Sequence, residues 1–143
     1  MENLLKAIAT KISGSALSSD VGGRIYHDEY PPDEMPPTYP YVIYFDVTDN
    51  PDNVFAKTGE EYLFQFSMFS NSSGSTEITN IRKDLRALFD DCDMTIPPTG
   101  TVTDKLIWCK RGPAQTFTEE VTTDKKSTIK HWTQEYFITT QKA

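Results

Sequence analysis

The chain has 143 residues, 37% of them apolar and 12% aromatic, and a formal net charge of −7. These are globular values, and a chain of this length buries roughly 70% of its unfolded surface without needing a metal or disulfide staple. The acidic balance argues against general nucleic-acid binding, which needs clustered Lys and Arg.

No run approaches the roughly 18 apolar residues of a membrane span. The N-terminal "MENLLKAIATKIS" lacks the basic region and continuous apolar run of a signal peptide. The expectation is therefore one intracellular domain over residues 1–143, without a membrane segment. In chain order, Leu4, Leu5, Ile8 and Ile12 recur at helical spacing and Gly14 is a plausible stop. "GGRIYHD" predicts a short strand after a glycine break. Five prolines follow between Pro31 and Pro40, and "YPYVIYFDVT" predicts a long strand. In "EEYLFQFSMFS", Tyr62, Phe64, Phe66 and Met68 alternate with Leu63, Gln65, Ser67 and Phe69, so one face is wholly apolar. "NSSGS" predicts a turn and N-cap cluster ahead of a helix with Ile78, Ile81, Leu85 and Leu88 on one stripe. That stripe should pack on the Tyr62–Met68 face. The other face, with Leu63 and Phe69, calls for cover from the first helix or from a partner. "DCDMTIPPTG" ends the helix. Beyond it, "DKLIWCKR" and "AQTFTEEVTT" read as strands separated by a Gly112-Pro113 turn, and "TIKHWTQEYFITT" as a third with Trp132, Tyr136 and Ile138 on one face. The fold class is α+β: a mostly antiparallel sheet with two helices packed on it and a long C-terminal β-meander.

The chain offers no catalytic constellation. His27 stands beside Asp28 and Glu29, but His131 is the only other histidine, and a zinc or iron site wants three or four ligands in fixed geometry. A strand-end histidine in a polar turn is the simpler reading, and no metal or cofactor is expected. Cys92 and Cys109 carry no nucleophile signature and read as reduced thiols, with Cys109 in a core strand. The carboxylates clump as Asp28, Glu29, Asp33 and Glu34, then Asp46, Asp49 and Asp52, then Asp90, Asp91 and Asp93. Most lie in Pro- or Asn-containing loops, where solvation keeps them ordinary. No phosphate-cradling glycine motif occurs. Tyr39, Tyr41, Tyr44 and Phe45 could stack bases, but basic residues do not flank them and a core role fits better.

The order "GGRIYHDEYPP…YPYVIYF" followed by "KTGEEYLFQFSMFSNSSGSTEITNIRKDLRALFDD" resembles the tail-completion proteins of long-tailed bacteriophages, also called tail terminator or head-tail joining proteins. The resemblance covers roughly residues 3–96. It implies a non-enzymatic assembly protein, made in the host bacterial cytoplasm for a phage or prophage and located in the neck of the virion tail. It further implies a homo-hexameric ring on the head-proximal end of the tail tube, which stops tube polymerisation and joins the tail to the head connector. The implied partners are other copies of the chain, the major tail tube protein and the head-tail connector (stopper) protein. DNA would pass through the ring without specific binding, and carboxylates facing such a channel repel the duplex. The competing class is an unrelated small ligand-binding or regulatory domain of the same α+β type.

Two segments are candidates for the assembly interface. Each proline fixes φ and removes an amide donor, so "YPPDEMPPTYP" is stiff and cannot pair centrally in a sheet. It suits a rigid crossover between strands, or in a sharper version a docking arm using Pro31, Pro32, Glu34 and Met35. The connection "DNPDNVFAKTG" is longer than the 2–5 residues usual in hairpins. It opens on turn formers, yet carries Val54 and Phe55. Either Phe55 folds back onto the sheet edge, or Asp49, Pro51, Asp52, Val54, Phe55 and Lys57 order against a neighbouring subunit or the tube. The second reading is preferred.

Overall fold

The apolar alternation around Phe66 becomes the middle strand of a five-stranded sheet. A computed structural model of the chain describes residues 1–51, 59–101, 103–120 and 128–142, without the side chains of Glu119 and Glu120. The described elements are α1 (Glu2–Ile12), α2 (Ala16–Asp20), β1 (Ile25–His27), a 3₁₀ turn (Pro32–Glu34), β2 (Tyr41–Pro51), β3 (Gly59–Ser70), α3 (Thr76–Phe89), β4 (Asp104–Glu120) and β5 (Thr128–Lys142). The spatial order is β1-β2-β3-β5-β4. Only β1 and β2 run parallel; the other neighbours are antiparallel. The α+β expectation holds.

Period-two burial places the core. Tyr62, Phe64, Phe66 and Met68 on β3, Val42 and Tyr44 on β2, and Tyr136 and Ile138 on β5 are all buried. They join Ile78, Ile81, Leu85 and Phe89 of α3 in one cluster, as the two periodicities demand. Leu88 packs at its margin, and Phe89 takes the place that the sequence stripe gave it. Phe66 is central, its ring 4.9 Å from Phe89, 5.6 Å from Tyr44 and 5.9 Å from Tyr136. The first helix buries Leu4, Ala7, Ile8 and Ile12 in this same cluster. It therefore does not cover the opposite sheet face, and that half of the expectation is corrected.

The parallel β1–β2 pair explains the prolines. Parallel strands cannot be joined by a tight hairpin and need a crossover of about a dozen residues, which residues 28–40 supply. Arg24 holds the crossover's far end, donating from Nε to Pro40 O (3.0 Å) and from Nη2 to Tyr39 O (3.3 Å). Gly22, at φ +60°, lies against this clamp: a Cβ there would sit 2.8 Å from Arg24 Nη1.

Three local expectations are revised. Asp49, Asn50 and Pro51 are not loop residues; they extend β2 and pair with Tyr62, Glu61 and Glu60. Pro51 stands at the strand's terminal position, where a missing donor is tolerated. α2 was not foreseen. It is a single short helix in which Ser15 Oγ accepts from Ser18 N (3.2 Å) and Leu17 is buried. Finally, Gly112-Pro113 does not split β4, so the C-terminal region has two described strands rather than three, with β5 between β3 and β4. The register shifts between Arg111 and Ala114, a bulge. Gln134, fully buried on β5, explains it. Its Nε2 donates to Gly112 O at 2.8 Å and to Glu135 O at 3.1 Å, while its Oε1 accepts from Arg86 Nη2 (2.9 Å) and Nε (3.1 Å). A carbonyl that a turn would expose to water is thereby satisfied inside the fold. Glycine is required as well, because a Cβ at 112 would lie 2.9 Å from the Phe137 ring.

Candidate interaction surface

Every core-facing strand residue points toward the helices, so the other sheet face carries no helix of the described chain. Register places Tyr41, Ile43 and Phe45 of β2, Leu63 and Phe69 of β3, His131 and Phe137 of β5 and Phe117 of β4 on it. An aromatic line crosses this face at right angles to the strands. Tyr26 meets Tyr30 at 4.9 Å between ring centroids, Tyr30 meets Tyr41 at 4.9 Å, and Tyr41 stacks on Phe69 at 4.6 Å. Phe69 stacks on His131 at 4.3 Å, and His131 reaches Phe117 at 5.8 Å. The line runs from β1 through the crossover to β4, touching every strand. Cross-strand aromatic pairs stabilise a sheet. Here they also leave apolar edges in water, with Phe117 46% exposed.

The line ends at β4, a 17-residue strand at the sheet edge. A long edge presents unpaired N–H and C=O groups, a template for another strand. Its apolar side chains do not blunt it: Ile107, Trp108 and Phe117 are all exposed, with Lys110 Nζ 4.9 Å from the Trp108 ring centre.

Of the two expected interface segments, the crossover adjoins the aromatic line through Tyr30, and the β2–β3 connection is described only at its ends. In the crossover, Pro31 precedes the 3₁₀ turn that holds Pro32 and Glu34. Tyr30 Oη accepts from Thr38 N at 3.0 Å, tying the segment to the aromatic line. Met35 projects from it, 59% exposed. At the far end of β2, Asp49 lies beside Glu60. Burial and the shared hydrogen bond with Glu60 push the Asp49 carboxyl up, while hydrogen bonds from Tyr62 and Asp49 draw Glu60 down. Pro51 borders a hollow of about 450 Å³ with Gly59, Glu60, Tyr62 and Asp104. Asp52, Val54, Phe55 and Lys57 lie outside the described residues. The structure thus sets Asp49 and Pro51 together and the crossover residues together, in two separate places.

Sequence reasoning missed the aromatic line, because its members are far apart in the chain and only register joins them. It also missed Asp46 as a neighbour of His27. The β1–β2 pairing brings ligand atoms of His27, Asp28 and Asp46 within 4.8 Å of one another, with both acids exposed. His27 Nε2 stands 3.4 Å from Asp28 Oδ1. Three ligand atoms at an exposed strand end fall short of the closed four-ligand set of a structural zinc. The third acidic clump has a structural partner: Asp90 Oδ1 accepts from Tyr136 Oη at 2.7 Å and Asp90 Oδ2 lies 3.7 Å from Arg111 Nη1. Among the described helices, none is long and apolar enough to cross a membrane.

Comparison with solved structures gives a chain of the "virion of native gene transfer agent (GTA) particle" that superposes with a TM-score of 0.68, 14% identity, and 95% of this chain and 92% of that chain covered. Such identity shows a shared fold. Comparison with curated proteins gives no match. The family model described as "tail completion protein gp17" matches residues 3–136. That family is one of structural proteins of the phage tail and not a class of enzymes. The protein belongs to the phage tail completion protein gp17 family and is a structural component of a virion, assembling with other phage structural proteins.

Proposed function

We propose that the chain is a tail terminator. In this reading residues 1–143 form one domain, and six copies close into a ring at the head-proximal end of the tail tube. The ring stops polymerisation of the major tail tube protein and offers its other side to the head connector. DNA passes through without specific binding. The family match over residues 3–136 carries the reading.

Two features support contacts between copies of the chain. The helix-free face exposes apolar side chains, and β4 is the edge strand at one end of it among the described strands. The crossover residues Pro31, Pro32, Glu34 and Met35 are assigned to a neighbouring subunit, and Asp49 and Pro51 with the following residues Asp52, Val54, Phe55 and Lys57 to a neighbouring subunit or the tail tube. A net charge of −7 suits a wall along which a duplex slides. The protein is made in the host cytoplasm and ends in the neck of the virion.

The test is genetic. Disrupting the gene in its parent phage gives overlong tails or tailless heads, and supplying the chain in trans restores tail length. Normal tails and full infectivity in the disrupted phage would overturn the reading. Replacing residues 52–57 with a short Gly-Ser turn then tests the β2–β3 connection: a folded protein that no longer caps tubes supports its assignment, and normal capping removes it.

A further inference from the structure

The sequence holds two cysteines, and the fold brings them together. Cys92 lies just past α3 and Cys109 lies in β4, where it is 1% exposed. Asp91, at φ 49°, turns the chain back, and its N–H donates to Cys109 O at 3.1 Å. The Cys92 N–H donates to Phe89 O at 3.3 Å, and Cys109 Sγ donates to that same carbonyl at 3.2 Å. The Cys92 N–H and the Cys109 S–H thus converge on one carbonyl, which sets the two residues side by side. From α1, Lys11 Nζ donates to Asp93 O at 3.2 Å, which brings an ammonium close to Cys92.

Their surroundings divide the two sulfurs by role. The adjoining Cys109 side chain, with Lys11 nearby, draws the Cys92 thiol below its ordinary range, and Cys92 is partly exposed. The adjoining Cys92 side chain and burial push the Cys109 thiol up. The accessible sulfur is thus the one that more readily becomes a thiolate, and thiolate character with exposure is what an oxidant selects. The buried sulfur is anchored on the Phe89 carbonyl that also binds the Cys92 amide, a place suited to a resolving thiol.

We propose that Cys92 and Cys109 form a peroxide-responsive dithiol site that closes to an intramolecular disulfide. The Cys92 thiolate attacks one oxygen of a hydroperoxide, the O–O bond breaks, and the leaving oxygen takes a proton to depart as water or an alcohol. Cys92 is left as a sulfenic acid. The Cys109 sulfur then attacks the Cys92 sulfur; the S–O bond breaks, and the departing hydroxide takes the Cys109 proton to leave as water. Two thiols are oxidised by two electrons and one peroxide bond is reduced. The bridge would staple the exit of α3 to the edge strand β4. A particle that assembles in a reducing cytoplasm and is released into an oxidising medium would close it after assembly. That timing rests on the virion reading; the chemistry does not.

The experiment uses the purified, reduced full chain. It is treated with hydrogen peroxide, unfolded, alkylated with iodoacetamide and digested for mass spectrometry. The expected result is a linked Cys92–Cys109 peptide pair, two hydrogens lighter than the reduced pair, and no alkylated cysteine. Melting should rise by roughly 5–10 °C, as expected for closing a loop of about this size, and the rise should vanish with dithiothreitol. Cys92→Ser should form no disulfide-linked species under peroxide, keep Cys109 alkylatable and show no rise; Cys92→Ala should behave alike. Over-oxidised Cys92 beside an alkylated Cys109 in the wild type would overturn the proposal. So would disulfides that join two chains. A bridge that leaves melting unchanged would overturn the staple.

Discussion

Gln134→Leu is the most informative single substitution in the core. Leucine matches glutamine closely in volume, so the change tests hydrogen bonding rather than cavity formation. Three consequences can be read from the structure. Gly112 O, held at 2.8 Å by the amide in a part-buried contact, loses that donor, at about 1–3 kcal/mol. The half-buried Arg86 guanidinium loses a two-fold contact at 2.9 and 3.1 Å, a charge-assisted interaction of about 1.5–3 kcal/mol. Against these, the apolar side chain recovers about 1 kcal/mol or less by removing polar atoms from the interior. The net is roughly 2–5 kcal/mol, a large share of the ~5–15 kcal/mol that a small protein has. Urea unfolding of wild type and variant at one pH measures it. Amide exchange localises it: residues 110–115 of β4 should lose protection before β3 does. A loss below about 1 kcal/mol, or uniform loss of protection, would refute the idea that Gln134 holds the bulge.

Phe66→Ala removes a fully buried ring in contact with three others and should cost roughly 3–5 kcal/mol in the same assay. The Asp20 carboxyl on α2 is pushed up to about 6, by burial first and then by its hydrogen bond to Asp84 and that residue's charge. An unfolded aspartate titrates near 3.9, so between those values the folded state holds a proton that the unfolded state has released. The stability is present at pH 4 and lost as pH rises through about 6. Asp20→Asn should therefore raise the melting temperature at pH 7.5 relative to wild type and flatten the wild-type decline between about pH 4 and 6. EDTA should leave the melting temperature unchanged, because the His27, Asp28 and Asp46 group lies at an exposed strand end; a marked drop would make that group a working metal site.

What could be read in the sequence was what short-range periodicity encodes. The alternation from Tyr62 to Met68 and the Ile78-Ile81-Leu85 stripe fix both partners of the core, because each pattern matches one secondary-structure period. The prolines between Pro31 and Pro40 forbid central pairing, and they do span the parallel crossover. The failures share a cause: a distant residue decides the local outcome. Gly112-Pro113 has the chemistry of a turn, and it becomes a bulge because Gln134 reaches across from β5. Asp49-Asn50-Pro51 also has turn chemistry, and it stays in β2 because Glu60, Glu61 and Tyr62 pair with it. The short helix α2 carries little apolar periodicity, although Ser15 three residues before Ser18 was a usable capping signal. The aromatic line could not be read at all, since Tyr30, Tyr41, Phe69, His131 and Phe117 become neighbours only through the register of four strands and a crossover.

The central claim, termination of the tail tube, is most directly tested by electron microscopy of negatively stained tubes from the parent phage during polymerisation, with and without the purified protein. The account predicts a ring at one end of each tube and arrested growth once it is added. Tubes that keep lengthening with bare ends, or protein bound along their sides, would contradict it.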